Sequence, residues 1–131
     1  MKTTVNLAAV GIGPILTVND VAASVDFYQK LGFSVGQRWE DGDKLVGAEL
    51  HSGDARITVT QDDFAKGRDR QKGVGFRLWI VTNEDLDGLH SAIKNAGLDP
   101  GKPPEVLDEE GPRFFSLRDP DGFLVSIAEN A

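Results

Sequence analysis

The chain has no cysteine, one methionine, one tyrosine and two histidines among 131 residues. Without cysteine there is neither a disulfide nor a thiolate metal site, a composition that fits a reducing compartment and makes the cytoplasm the expected location. Positive charge is also short. Fourteen Lys and Arg against 21 Asp and Glu leave a formal net charge of -7, which repels phosphate backbones, so nucleic acid is not an expected partner. No apolar run approaches the ~20 residues of a membrane span. The opening Met1-Lys2-Thr3-Thr4-Val5-Asn6 carries one positive charge, and the short apolar patch after it is broken by Gly11 and Gly13, which makes a poor signal peptide. No membrane partner is expected either. The length fits one domain that buries roughly two thirds of its unfolded surface.

What the chain does have is a repeat. Val18-Asn19-Asp20-Val21 opens a helical pattern that ends at Leu31-Gly32-Phe33, and Asn83-Glu84-Asp85-Leu86 opens another, 65 residues on, that ends at Ala96-Gly97-Leu98. A period of half the chain points to a duplicated module and not to a solenoid.

In the first copy, Ile12 to Val18 reads as a strand with Pro14 near its start. Asp20 caps a helix whose Val21, Val25, Tyr28 and Leu31 share one face, and Gly32 ends it. Phe33 to Trp39 and Lys44 to Leu50 form a hairpin about Asp41-Gly42, and Ser52-Gly53-Asp54 turns the chain into Ala55 to Thr60. In the second copy, Val74 to Val81 is a strand, and Asn83 or Glu84 begins a helix presenting Leu86, Leu89, Ile93 and Ala96 on one face. Short strands follow at Glu105 to Leu107, Arg113 to Leu117 and, after the Asp119-Pro120-Asp121-Gly122 turn, Phe123 to Ile127. The expected class is α+β: two tandem βαβββ modules, 12–61 and 73–128, joined by a polar connection at 62–72. They form a curved mixed sheet with helices on one face and a concave ligand cleft on the other. Lys66, Arg68, Arg70 and Lys72, interleaved with Asp62, Asp63 and Asp69, read as a solvated loop.

Pro14-Ile15-Leu16-Thr17 through Phe27-Tyr28, with Leu31-Gly32-Phe33, resembles the opening module of the vicinal oxygen chelate superfamily. That group includes glyoxalase I, extradiol dioxygenases, fosfomycin-modifying enzymes and bleomycin resistance proteins. Phe114-Phe115-Ser116-Leu117-Arg118-Asp119-Pro120-Asp121-Gly122 resembles its closing hairpin. The resemblance implies a divalent ion held in the cleft by His, Gln or Glu on the first strand of each module and a carboxylate on the last strand of each. Carried over residue by residue, those positions fall on Gly13, on Phe76 or Leu78, and on Ser126, while Ile57 to Thr60 offers no carboxylate or imidazole. No metal and no cofactor are therefore expected. Glu49 and His51 share a strand face and leave a two-ligand arrangement open. His90 reads as a packed or half-exposed helix residue, and His51 as a residue at a turn.

The chain is closest to the bleomycin resistance branch, whose members bind cationic, planar antibiotics between the subunits of a homodimer. It departs from that branch in having Glu109-Glu110-Gly111-Pro112 where a tryptophan often precedes Arg113. The function implied is metal-free binding of a small aromatic or cationic, antibiotic-like ligand by a homodimer. The alternative is a divergent metal-dependent lyase or dioxygenase, and a third class acts through its dimer surface alone. The candidate ligand-binding residues are Trp39, Glu49, Phe64, Arg113, Phe115 and Ser126. Trp39 and Phe64 are chosen as exposed aromatics amid charge. The other strand aromatics, including Trp79, Phe76 and one of Phe114 and Phe115, are read as core.

Overall fold

In the computed structural model, residues 4–106 and 108–130 are described. The first half begins with β1 (Ile15–Val18), whose alternate residues Leu16 and Val18 turn inward. Helix α1 (Val21–Lys30) starts where the Asp20 carboxylate accepts the Ala23 N–H at 3.2 Å, satisfying a donor that the first turn leaves free. It stops where Gly32 adopts φ 108° and Phe33 N donates to Tyr28 O at 2.8 Å, a left-handed close that glycine makes without strain. Strands β2 (Ser34–Asp41), β3 (Lys44–Ser52) and β4 (Ala55–Gln61) complete a four-stranded sheet in the order β1-β4-β3-β2. Only the β1–β4 pair is parallel.

The second half repeats the plan with β5 (Arg77–Thr82), α2 (Leu86–Asn95), β6 (Phe114–Arg118) and β7 (Leu124–Glu129). Its sheet order is β5-β7-β6, again with one parallel pair, β5–β7. The α2 cap is Asp85, which accepts Gly88 N–H at 3.0 Å, so the helix starts two or three residues after the expected Asn83 or Glu84. Gly97 at φ 95° closes it, and Leu98 N donates to Ile93 O as Phe33 N does to Tyr28 O.

Two expectations need correction. There are two sheets and not one continuous curved sheet. The strand expected at Glu105 to Leu107 is reduced to one bridge, Glu105 with Phe114, and Leu107 lies outside the described residues. Pro103 and Pro104, which have no N–H, keep the ladder from extending ahead of Glu105.

Both modules turn one sheet face toward the helices and into a common core. Leu50, Ile57 and Val59 from the first sheet, and Leu78, Val125 and Ile127 from the second, belong to it. Phe27, Tyr28 and Phe33 stack edge to face around the end of α1, with centroids 4.9 and 5.7 Å apart. The modules are joined by a buried hydrogen bond. The Tyr28 hydroxyl donates to Asp119 Oδ2 at 2.9 Å, while Asp119 Oδ1 accepts the N–H groups of Asp121 and Phe123, and Asp121 accepts from Asn19 N. The Asp119-Pro120-Asp121-Gly122 turn is thus a clamp between halves as well as a reversal of the chain. Burial, aided by the Asp119 charge, pushes the Tyr28 hydroxyl far above its ordinary pKa, and burial raises Asp119 as well.

Candidate functional site: the open faces of the two sheets

Strand alternation sends every second residue away from the helices. On the first sheet that open face carries Ile15 and Thr17 of β1, Arg56, Thr58 and Thr60 of β4, and Gly47, Glu49 and His51 of β3. Trp39 of β2 pairs with Gly47. A Cβ added to Gly47 would stand 2.8 Å from Trp39 Cε3, so the indole lies directly on glycine backbone. Trp39 remains 39% exposed there.

On the second sheet the open face runs in three rows across β5, β7 and β6: Arg77, Leu124 and Arg118; Trp79, Ser126 and Ser116; Val81, Ala128 and Phe114. The Trp79 and Phe114 rings, from strands on either side of β7, approach to 5.3 Å. Beneath them Ser126 and Ala128 are fully buried, and Ser126 Oγ is 2.7 Å from Ser116 Oγ. The outer side of Trp79 stays 45% exposed and Val81 52%. With Trp39 also half open, the two faces do not close on each other within one chain.

The structure separates the candidate ligand-binding residues. Trp39 and Glu49 share the first open face. Phe115 is buried in the core against His90, whose ring nitrogen lies 3.0 Å from Gly101 O; alternation places Phe114, and not Phe115, outward. Ser126 faces the right way but is covered and paired. Arg113 is held by both oxygens of Asp87 on α2, at 3.0 and 3.1 Å, which raises its pKa and turns it from the open face. Phe64 sits in the connection at φ 60° with the Arg68 guanidinium 4.2 Å above its ring, so it is partly covered by a cation–π contact. Phe76, expected in the core, is 42% exposed ahead of β5 and touches Phe123 edge to face.

The connection is not simply solvated. Asp62 and Lys72 are both buried and hydrogen-bonded, Arg70 Nη2 donates to the same Asp62 oxygen at 2.9 Å, and Phe64 N donates to the other. The Lys72 bond first, then Arg70, holds the Asp62 carboxyl well below the usual carboxylate range. Alternate charges spaced for a loop gave no sign that one pair would turn inward.

The parallel pairs Ile15–Thr58 and Trp79–Ser126 are equivalent, because Asp62 N donates to Val18 O at the end of the first pair of strands as Asn130 N does to Thr82 O at the end of the second. The residue of module two that matches Gly13 is then Arg77, not Phe76 or Leu78; Leu78 points into the core. A divalent ion would meet Gly13, Thr58, Arg77 and Ser126: no side chain, two hydroxyls and a guanidinium. That set does not fit a metal. Among the described residues no group of three His, Asp or Glu side chains converges on one point, and no helix is long and apolar enough to cross a membrane.

Residues 7–127 match the family model for the glyoxalase/bleomycin resistance protein/dioxygenase superfamily. The chain belongs to this superfamily. Three solved structures share its fold. A bleomycin-binding protein complexed with bleomycin is 22% identical, with TM-score 0.70 over 94% of this chain and 100% of that one. The bleomycin resistance determinant encoded on transposon Tn5 is also 22% identical, with TM-score 0.71 over 93% and 98%. A virulence protein from Salmonella typhimurium is 24% identical, with TM-score 0.68 over 96% and 100%. No curated protein matches the chain. Within the superfamily fold, this member keeps the two-module backbone and carries arginine and hydroxyl groups where the metal ligands are implied.

Proposed function

We propose that this superfamily member is a metal-free small-molecule binding protein whose ligand is aromatic and is held between open sheet faces that a second copy of the chain closes. The observation that carries this is the pair of half-exposed tryptophans, Trp39 and Trp79, one on each open face. Large aromatics left open in this way are favoured where a planar ligand or a partner covers them. Glu49, on the same face as Trp39, offers a carboxylate to a cationic group on the ligand. The fold shared with a protein that binds bleomycin supports the class of ligand, and bleomycin is the first compound to try. A cysteine-free chain also supports a cytoplasmic location.

Thermal unfolding with bleomycin and a panel of aromatic cations tests the reading. A true ligand at one hundred times its dissociation constant adds about 2.7 kcal/mol. Absence of stabilisation by every aromatic compound, or stoichiometric zinc, nickel, manganese or iron held by cleft side chains, overturns it. Sedimentation at micromolar concentration should show a two-fold dimer, and a monomer there removes the second wall.

A further inference from the structure

One end of the second open face is cationic in a protein that is strongly acidic overall. Arg77 and Arg118 flank Leu124 on the outer strands of the β5-β7-β6 sheet, so their backbones stand about 10 Å apart, two strand spacings. Both side chains are exposed, and among the described residues neither guanidinium has a carboxylate within ion-pair distance. They line a groove of about 670 Å³ whose other walls include Val74, Phe76 and Leu124. Two further charged residues border it: Lys72 is paired with Asp62, while Asp121, whose Oδ1 accepts the Asn19 N–H, keeps its carboxylate charge, so two unpaired guanidiniums stand against one carboxylate. Arg118 Nη1 donates to Gly122 O at 2.8 Å, which fixes that guanidinium at the rim with its other N–H groups free.

The apolar wall is as open as the cations. Val74 is 73% and Phe76 42% exposed. Two unpaired guanidiniums beside an uncovered aromatic match an oxyanion carried on an aromatic body, since guanidinium N–H groups bind carboxylate, sulfonate or phosphate oxygens in charge-assisted pairs. We infer that the groove between Arg77 and Arg118 is an anion subsite that binds the oxyanion of an aromatic small molecule, with the ring against Phe76 and Val74. The groove is complete in a single chain, so it requires neither the dimer nor the Trp39 and Trp79 cleft.

The test uses 1-anilinonaphthalene-8-sulfonate as the aromatic oxyanion and N-phenyl-1-naphthylamine as its neutral counterpart, both followed by fluorescence on the full-length protein. Arg77→Gln and Arg118→Gln should each weaken the sulfonate roughly tenfold or more, the loss expected for a charge-assisted hydrogen bond, and leave the neutral probe within twofold. Arg77→Lys should recover part of the affinity. In a Trp39→Ala background the Arg77→Gln change should still weaken the sulfonate by the same factor, whatever Trp39→Ala does to either probe, which separates failure of this subsite from failure of the aromatic cleft. Equal sulfonate binding by wild type and both glutamine variants overturns the inference, as does an equal loss for both probes. Because both side chains lie at the surface, unchanged melting temperatures are expected, and a melting shift large enough to account for the lost binding also counts against it.

Discussion

Module one lays a single indole, Trp39, on the bare backbone of Gly47, whereas module two brings Trp79 and Phe114 together over β7 and buries Ser126 beneath them. The first open face is otherwise Ile15, threonine, Glu49, His51 and Arg56; the second runs from Arg77 and Arg118 through a hydroxyl pair to aromatic carbon. The helix-facing sides of the two sheets, by contrast, are interchangeable in character, both built from Leu, Ile and Val. A duplicated backbone is held constant by its core, and the faces that the core does not use are free to diverge. Their side chains have diverged, so one chain carries a face of mixed polarity, with Glu49 and Arg56, and a face with a cationic end.

The largest effect should come from cutting the link between the modules. Asp119→Ala removes the acceptor of the Tyr28 hydroxyl and of two backbone N–H groups, and leaving buried donors unsatisfied should cost about 3 kcal/mol in urea unfolding. The two halves should still melt in one transition, because they share a core. Next, the tryptophans should behave differently. Trp79→Ala uncovers Ser126 and should cost about 2 kcal/mol of stability, while Trp39→Ala should cost less than about 1 kcal/mol. Each should weaken binding of an aromatic ligand by about 1–3 kcal/mol. Equal stability losses would erase the distinction drawn between the two faces. Arg113→Ala breaks a partly exposed pair with Asp87 and should change stability less than either tryptophan variant, with no change in ligand affinity.

The smallest effect concerns pH. Burial raises Asp119 above its ordinary 3.8, so at neutral pH its ionised form costs stability. As pH falls through the raised value toward 3.8, the folded state takes up the proton first and stability rises. Asp62 has the opposite sign: its depressed pKa contributes stability above 3.8 that is lost as pH falls below that value. Melting temperature should therefore rise slightly on mild acidification and then fall steeply. In Asp119→Asn the rise should vanish and the fall remain.

The repeat, both helices, the Asp20 cap, the two glycine ends and most strands were legible in the sequence, because alternating and helical periods report which residues face a core; the Asp85 cap was not. The open faces were less so. Trp79 and Phe114 look like core residues until the register is known, and only the neighbours Leu78 and Phe115, both buried, show which way they point. Counting from a helix cap across one extra residue missed Arg77 by one position, and in a strand one position is the opposite face. The partners of Tyr28, Asp62 and Arg113 are side-chain contacts, two of them with residues far along the chain, and no local pattern encodes such pairs.

The measurement that tests the two-walled site most directly is a mixing experiment with Trp39→Ala and Trp79→Ala, each purified alone and then refolded together. N-phenyl-1-naphthylamine, neutral and aromatic, reports the intact sites by fluorescence. If the Trp39 face of one copy meets the Trp79 face of another, a mixed dimer holds one site lacking both tryptophans and one site with both. Random pairing should then restore about a quarter of the wild-type sites at wild-type affinity. A mixture that binds no better than the average of the two variants would contradict a site shared between copies.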